Sequence, residues 1–130
     1  MANPSKDQGT RRETRTVNDH NRIPGVTAWR LAEGGSNDPG DVAVRLSTGD
    51  HVVLECKHRD RLNIHQAVRK ARRKVGVADL PFVPALVAVV WQRTVRVAGE
   101  RGVPVGTVVC MDYGDWLGLV SWLTEQEGTT

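Results

Sequence analysis

The chain has 130 residues, of which 39% are hydrophobic and 25% charged, with 18 Lys+Arg against 15 Asp+Glu and a formal net charge of +3. That size and composition fit one globular domain with one core and exclude a disordered or low-complexity chain. The longest apolar stretch, Val83 to Trp91, is too short to span a bilayer.

The opening MANPSKDQGTRRE has no apolar h-region, so a signal peptide is not expected. The two cysteines, Cys56 and Cys110, sit in apolar runs and have the spacing of neither a metal site nor a disulfide framework. A reducing, cytoplasmic location follows as the expectation, the host cytoplasm if the chain is phage-encoded. Residues 1–9 are expected to be a flexible N-terminus, 10–126 a single domain and 127–130 a tail.

Residues 10–21 predict a short helix with Thr10 as N-cap and Glu13 at N3. Val17 is its only large apolar residue, and Pro24-Gly25 ends it. Val26–Leu31 reads as a strand, followed by the loop Ala32–Gly40 (AEGGSNDPG). Residues 41–46 and 51–57 read as two strands joined through Ser47-Thr48-Gly49-Asp50. Leu62–Val75 predicts a helix capped by Asn63, with Ile64, Ala67, Val68, Ala71 and Val75 on one face. Pro81 and Pro84 introduce a buried strand over 85–91. A basic, glycine-containing connection or hairpin occupies 92–105, and a strand covers 107–111. Asp112 and Asp115 start a last helix whose apolar stripe is Trp116, Leu119, Val120 and Leu123. Trp122 lies off that stripe and is a candidate dimer contact. The order predicts an α/β fold, with a mixed central sheet of about five strands flanked by helices.

The hairpin decides where its charges point. With a three-residue loop, Ser47-Thr48-Gly49, and Gly49 left-handed, position i pairs with 96 minus i. One face is then Val42, Val44, Leu46, Val52, Leu54 and Cys56. The other is Asp41, Ala43, Arg45, His51, Val53, Glu55 and Lys57, with Asp41 opposite Glu55. A two-residue turn would scramble the apolar faces, so the hydrophobic pattern selects the first register.

Two adjacent carboxylates repel unless a cation lies between them. Hard oxygen ligands suit Mg²⁺, with Mn²⁺ as a substitute, and the Cys56 backbone carbonyl can add a further oxygen. Such a metal can activate water against a phosphodiester, while Lys57 orients the water or neutralises developing charge. The alternative is a plain surface ion pair between Lys57 and Glu55 or Asp41.

Charge is segregated along the chain. Eight bases and one acid fall between Lys57 and Lys74, whereas Met111–Thr130 carries four acids and no base. The basic stretch suits a polyanion such as DNA, or else forms a solvated helix face. Candidate DNA contacts are Arg11, Arg12, Arg30, Arg59, Arg61, Arg69, Lys70 and Arg73, although Arg30 can equally be merely exposed. His51, His58 and His65 are spaced without metal-ligand logic.

Pro39-Gly40-Asp41 with Val53-Leu54-Glu55-Cys56-Lys57 resembles the signature of the PD-(D/E)xK nuclease superfamily. Gly9-Thr10-Arg11-Arg12-Glu13 and the loop Gly34-Gly35-Ser36-Asn37-Asp38-Pro39-Gly40-Asp41 narrow this. Together they resemble archaeal Holliday-junction resolvases and related actinobacterial and actinophage proteins. The likeness covers about residues 9–75 and implies a restriction-endonuclease-like fold. It also implies a metal site of Asp41 and Glu55, a catalytic Lys57, and Glu13 as a further acid. Ser36 would lie near the scissile phosphate and Gln66 near the site. The first helix departs from the family in lacking an apolar face, and Pro-Gly-Asp stands where the superfamily name has Pro-Asp. A junction resolvase makes two symmetric cuts, and one site per chain then implies a C2 homodimer. The rivals are a nuclease of this type for another DNA substrate, a catalytically inactive DNA-binding domain of this fold, and an interaction domain that binds no nucleic acid.

Overall fold

The computed structural model describes residues 4–31 and 42–128, with side chains for 13–31, 42–100 and 102–125. The elements are α1 (Pro4–Asn21), β1 (Thr27–Arg30), β2 (Val42–Arg45), β3 (His51–Arg59), α2 (Ile64–Val77), β4 (Leu86–Val97), β5 (Glu100–Cys110) and α3 (Tyr113–Gly128). The five strands form one sheet in the order β1-β2-β3-β4-β5. Only β3 and β4 run parallel, and α2 is the crossover between them. The other pairs are antiparallel. The expected α/β fold with a mixed five-stranded sheet is therefore the observed one.

The β2–β3 hairpin has the register that the apolar pattern selects, with Val42 opposite Leu54 and Arg45 opposite His51. Its turn closes through Leu46 N–H to the Asp50 carbonyl at 2.8 Å and Gly49 N–H to the Leu46 carbonyl at 2.9 Å. Gly49 has φ +93°, which a residue with a Cβ adopts only with strain.

The sheet is covered on both faces. Toward α1 lie Ala28, Val42, Val44, Leu54, Ala88 and Val90, with Val17 of α1 packed on them. Toward α2 lie Ala67, Val68 and Ala71 of the helix against Val89. The hairpin's second face is consequently no solvent face, since Ala43 and Val53 are as buried as Val42. Asn63 caps α2 as expected, its side chain accepting from Gln66 N–H. Asn21, the last residue of α1, grips β1: its Nδ2 donates to the Ala28 carbonyl at 3.0 Å and its Oδ1 accepts from Ala28 N–H at 2.8 Å.

Two expectations are corrected and one left open is resolved. α1 begins at Pro4, not Thr10; proline suits a first turn, where its missing N–H has no partner to lose. The stretch 92–105 is a hairpin, with Ala98 and Gly99 at φ +49° and +86° forming the turn between β4 and β5. Past Arg59–Arg93, β4 is paired with β5 alone, so the sheet narrows to a two-stranded ribbon. The third concerns α3, where Trp116, Val120 and Leu123 of the expected buried stripe are 40–50% exposed. Trp122, the candidate dimer contact, lines a cavity together with Leu119, Leu46, Val52 and Leu86. The cause is that α3 is apolar nearly all round, so periodicity alone does not choose its inner side. Among the described residues no helix is long and apolar enough to cross a membrane.

Candidate active site

Leu54 points to the α1 side, so strand alternation turns Glu55 and Lys57 toward α2. Glu55 sits in mid-sheet, opposite Val89 of the parallel neighbour, and is only 8% exposed. A buried carboxylate is costly unless charged hydrogen bonds compensate it. Lys74 of α2 provides these, its Nζ lying 3.1 Å from one carboxylate oxygen and 3.2 Å from the other. Lys57 Nζ lies 3.6 Å from the same carboxylate. The site is thus one buried acid between two ammonium groups, one from its own strand and one from the crossover helix.

Lys74 belongs to the basic run of the chain, and a local signal sets it apart. Position 74 follows Ala71 by three residues and Ala67 by seven, both of them buried. It therefore falls inside the apolar stripe of α2. A lysine there needs a counter-charge beneath the helix, and Glu55 is that charge.

Glu13 stands elsewhere among the described contacts. It pairs with Arg30, Nε to Oε2 at 2.7 Å. Arg30 is opposite Val42, on the α1 side of the sheet, whereas Glu55 faces α2. Asp41 and Ser36 lie outside the described residues, as do the side chains of Arg11 and Arg12. Among the described residues no group of three His, Cys, Asp or Glu side chains is placed to hold a metal. Glu55 nevertheless suits a cation, because both of its oxygens already converge on one positively charged atom. A carboxylate and a neighbouring carbonyl, that of Cys56, are hard donors of the kind Mg²⁺ takes. The Cys56 side chain points away from the site, packing in the α1-side core with Sγ 3.6 Å from Thr16 Oγ1.

The basic candidates divide. Arg59, Arg61, Arg69, Lys70 and Arg73 are exposed, and Gln66 is exposed near the N-terminus of α2. Arg72 is already neutralised, 3.5 Å from Asp112 and 3.4 Å from Asp115, which ties α2 to the start of α3. His51 stacks on Phe82 at 4.2 Å, with Trp29 edge-on, and so belongs to an aromatic cluster. Burial raises the Cys110 thiol pKa above its ordinary value.

Compared with protein-family models, characterised proteins and solved structures, the chain gives no significant match to any.

Proposed function

We propose that this chain is a metal-dependent DNA endonuclease of the PD-(D/E)xK type, with a restriction-endonuclease-like fold, that cuts four-way junctions as a homodimer in the cytoplasm. The observation that supports it best is the buried Glu55 carboxylate on one face with Lys57, beside a helix whose outer side carries exposed bases. A surface ion pair would not bury its acid to this degree.

In this reading Asp41, Glu55 and the Cys56 carbonyl would hold Mg²⁺, with Mn²⁺ as a substitute, while Glu13 stays with Arg30 on the other face of the sheet. The bound metal supplies an activated water and charge neutralisation at the phosphodiester. Lys57 orients that water or stabilises the charge that develops on the phosphate. Lys74 fixes the Glu55 carboxylate while the site is metal-free. Arg59, Arg61, Lys70 and Arg73 neutralise the DNA backbone, and Gln66 and Ser36 would act near the scissile phosphate.

The bidentate Lys74–Glu55 contact favours one other reading, a DNA-binding domain of this fold in which the ion pair is structural and no bond is cut. Cleavage of four-way junctions with Mg²⁺, against linear duplex and flap DNA, separates these. Wild type is expected to cut junctions preferentially, with Asp41→Asn and Glu55→Gln each slower by about 100-fold or more. Wild type that binds junctions but never cuts under any divalent metal leaves the DNA-binding reading. Preferential cutting of duplex or flap leaves a nuclease for another substrate. Asp41→Asn that cuts as fast as wild type removes the site assignment.

A further inference from the structure

α3 carries two apolar faces. The inner one, Leu119 and Trp122 with Gly114 and Gly118, lines a cavity together with Leu46, Val52 and Leu86. The outer one is Tyr113, Trp116, Leu117, Val120 and Leu123, which are 40–74% exposed. Their spacing of three, one, three and three residues makes a continuous seam along the helix. The edge strand β5 adds Val109, more than half exposed and lining a groove with Tyr113 and Trp116. A monomeric surface rarely gathers so much apolar area in one place.

The charges around the seam say what covers it. Met111–Thr130 has four acids and no base, so a phosphate backbone is repelled. At the start of α3 the seam opens into a groove shared with α2, lined by Ile64, Val68, Arg69, Val109, Tyr113 and Trp116. Among the described residues Arg69 is an exposed cation with no acidic partner there, since Asp112 and Asp115 are taken by Arg72. The far end of α3 carries Glu125 and Glu127. One end of the seam therefore offers Arg69, a cation with no acidic partner among the described residues, and the other carries acids.

We propose that α3 is the homodimer interface, with two copies packing their α3 helices antiparallel about a two-fold axis near the middle of the seam. A two-fold axis requires a self-complementary patch. Antiparallel packing brings the acidic end of each copy to the Arg69 end of the other and buries Trp116, Leu117, Val120 and Leu123 between them. Parallel packing would instead set the acidic ends side by side. The proposal stands on this surface alone and needs neither DNA nor metal.

Sedimentation velocity on the full chain tests it. Wild type is expected to be a dimer at micromolar concentration, and Val120→Glu to weaken it by about 100-fold or more while keeping its thermal melt. Glu125→Lys and Arg69→Glu should each weaken the dimer by about tenfold, and the doubly reversed chain should recover it. Recovery identifies a contact between copies, and it decides the matter even if Val120→Glu fails to fold. A wild type that stays monomeric at about 100 µM, a well above that of micromolar dimers, overturns the proposal. So does a folded Val120→Glu that remains dimeric, or a double reversal without recovery. Failure of junction cleavage leaves the dimer untouched, and a monomer leaves the nuclease chemistry to be judged by its own assay.

Discussion

α2 and α3 begin from similar material and end differently. Each has an apolar stripe at helical spacing. That of α2, Ala67, Val68, Ala71 and Val75, is buried to 8% exposure or less, whereas the outer stripe of α3 is left largely in solvent. α2 has bases on its other side, so only one face can go inward. α3 has apolar side chains on both, so packing one against the sheet leaves a second uncovered. Periodicity reports that a helix has something to bury, and the charge on the opposite face reports whether one partner suffices.

The sharpest way to break this contrast is a charge in each stripe. Ala71→Asp should destabilise the fold by about 3–5 kcal/mol, as an unpaired charge in a buried site. Val120→Asp should change the stability of the monomer by less than about 1 kcal/mol. Urea unfolding of both, at protein concentrations where the chain is monomeric, makes the comparison, and equal losses would mean that α3 is core after all. Next in size is the lysine inside the α2 stripe. Lys74→Met should cost about 2 kcal/mol by stranding Glu55, with Lys57 at 3.6 Å offsetting part of the loss. The double variant Lys74→Met/Glu55→Gln should recover most of it, and a double that is additive would show that the pair does not interact. A smaller effect is expected on the outer side of α2. Replacing Lys70 and Arg73 with alanine should reduce the salt slope of DNA binding by about 2. An unchanged slope in the double variant would take α2 out of the DNA path. The smallest concerns Cys110, beside the α2 packing. Its raised thiol pKa leaves less thiolate at neutral pH, so alkylation should be slower than for an unhindered thiol and accelerate as pH rises. Modification at the rate of a free thiol would contradict burial there.

Much of this was legible in the chain. The register of the β2–β3 hairpin follows from its apolar alternation and Gly49, and with it the shared face of Glu55 and Lys57. Asn63 as the cap of α2 was equally local. What was not legible depends on contacts between distant segments. Glu13 reads as an active-site acid by position, yet its described partner, Arg30, lies 17 residues away on the opposite face from Glu55. Lys74 reads as one base among eight until the helix is laid over the strand. The inner face of α3 shares a cavity with Leu46, Val52 and Leu86, which belong to three different strands or turns and leave no mark in the helix's own sequence.

The side-chain amide of Asn21 carries one further consequence. It meets both backbone groups of Ala28 as a peptide would, on the strand that ends the sheet. An edge whose N–H and C=O are so occupied offers less of a template for a new strand. The opposite end of the sheet, β5, has no such guard among the described residues. A single asparagine at the end of α1 thereby shields part of one sheet edge from strand addition.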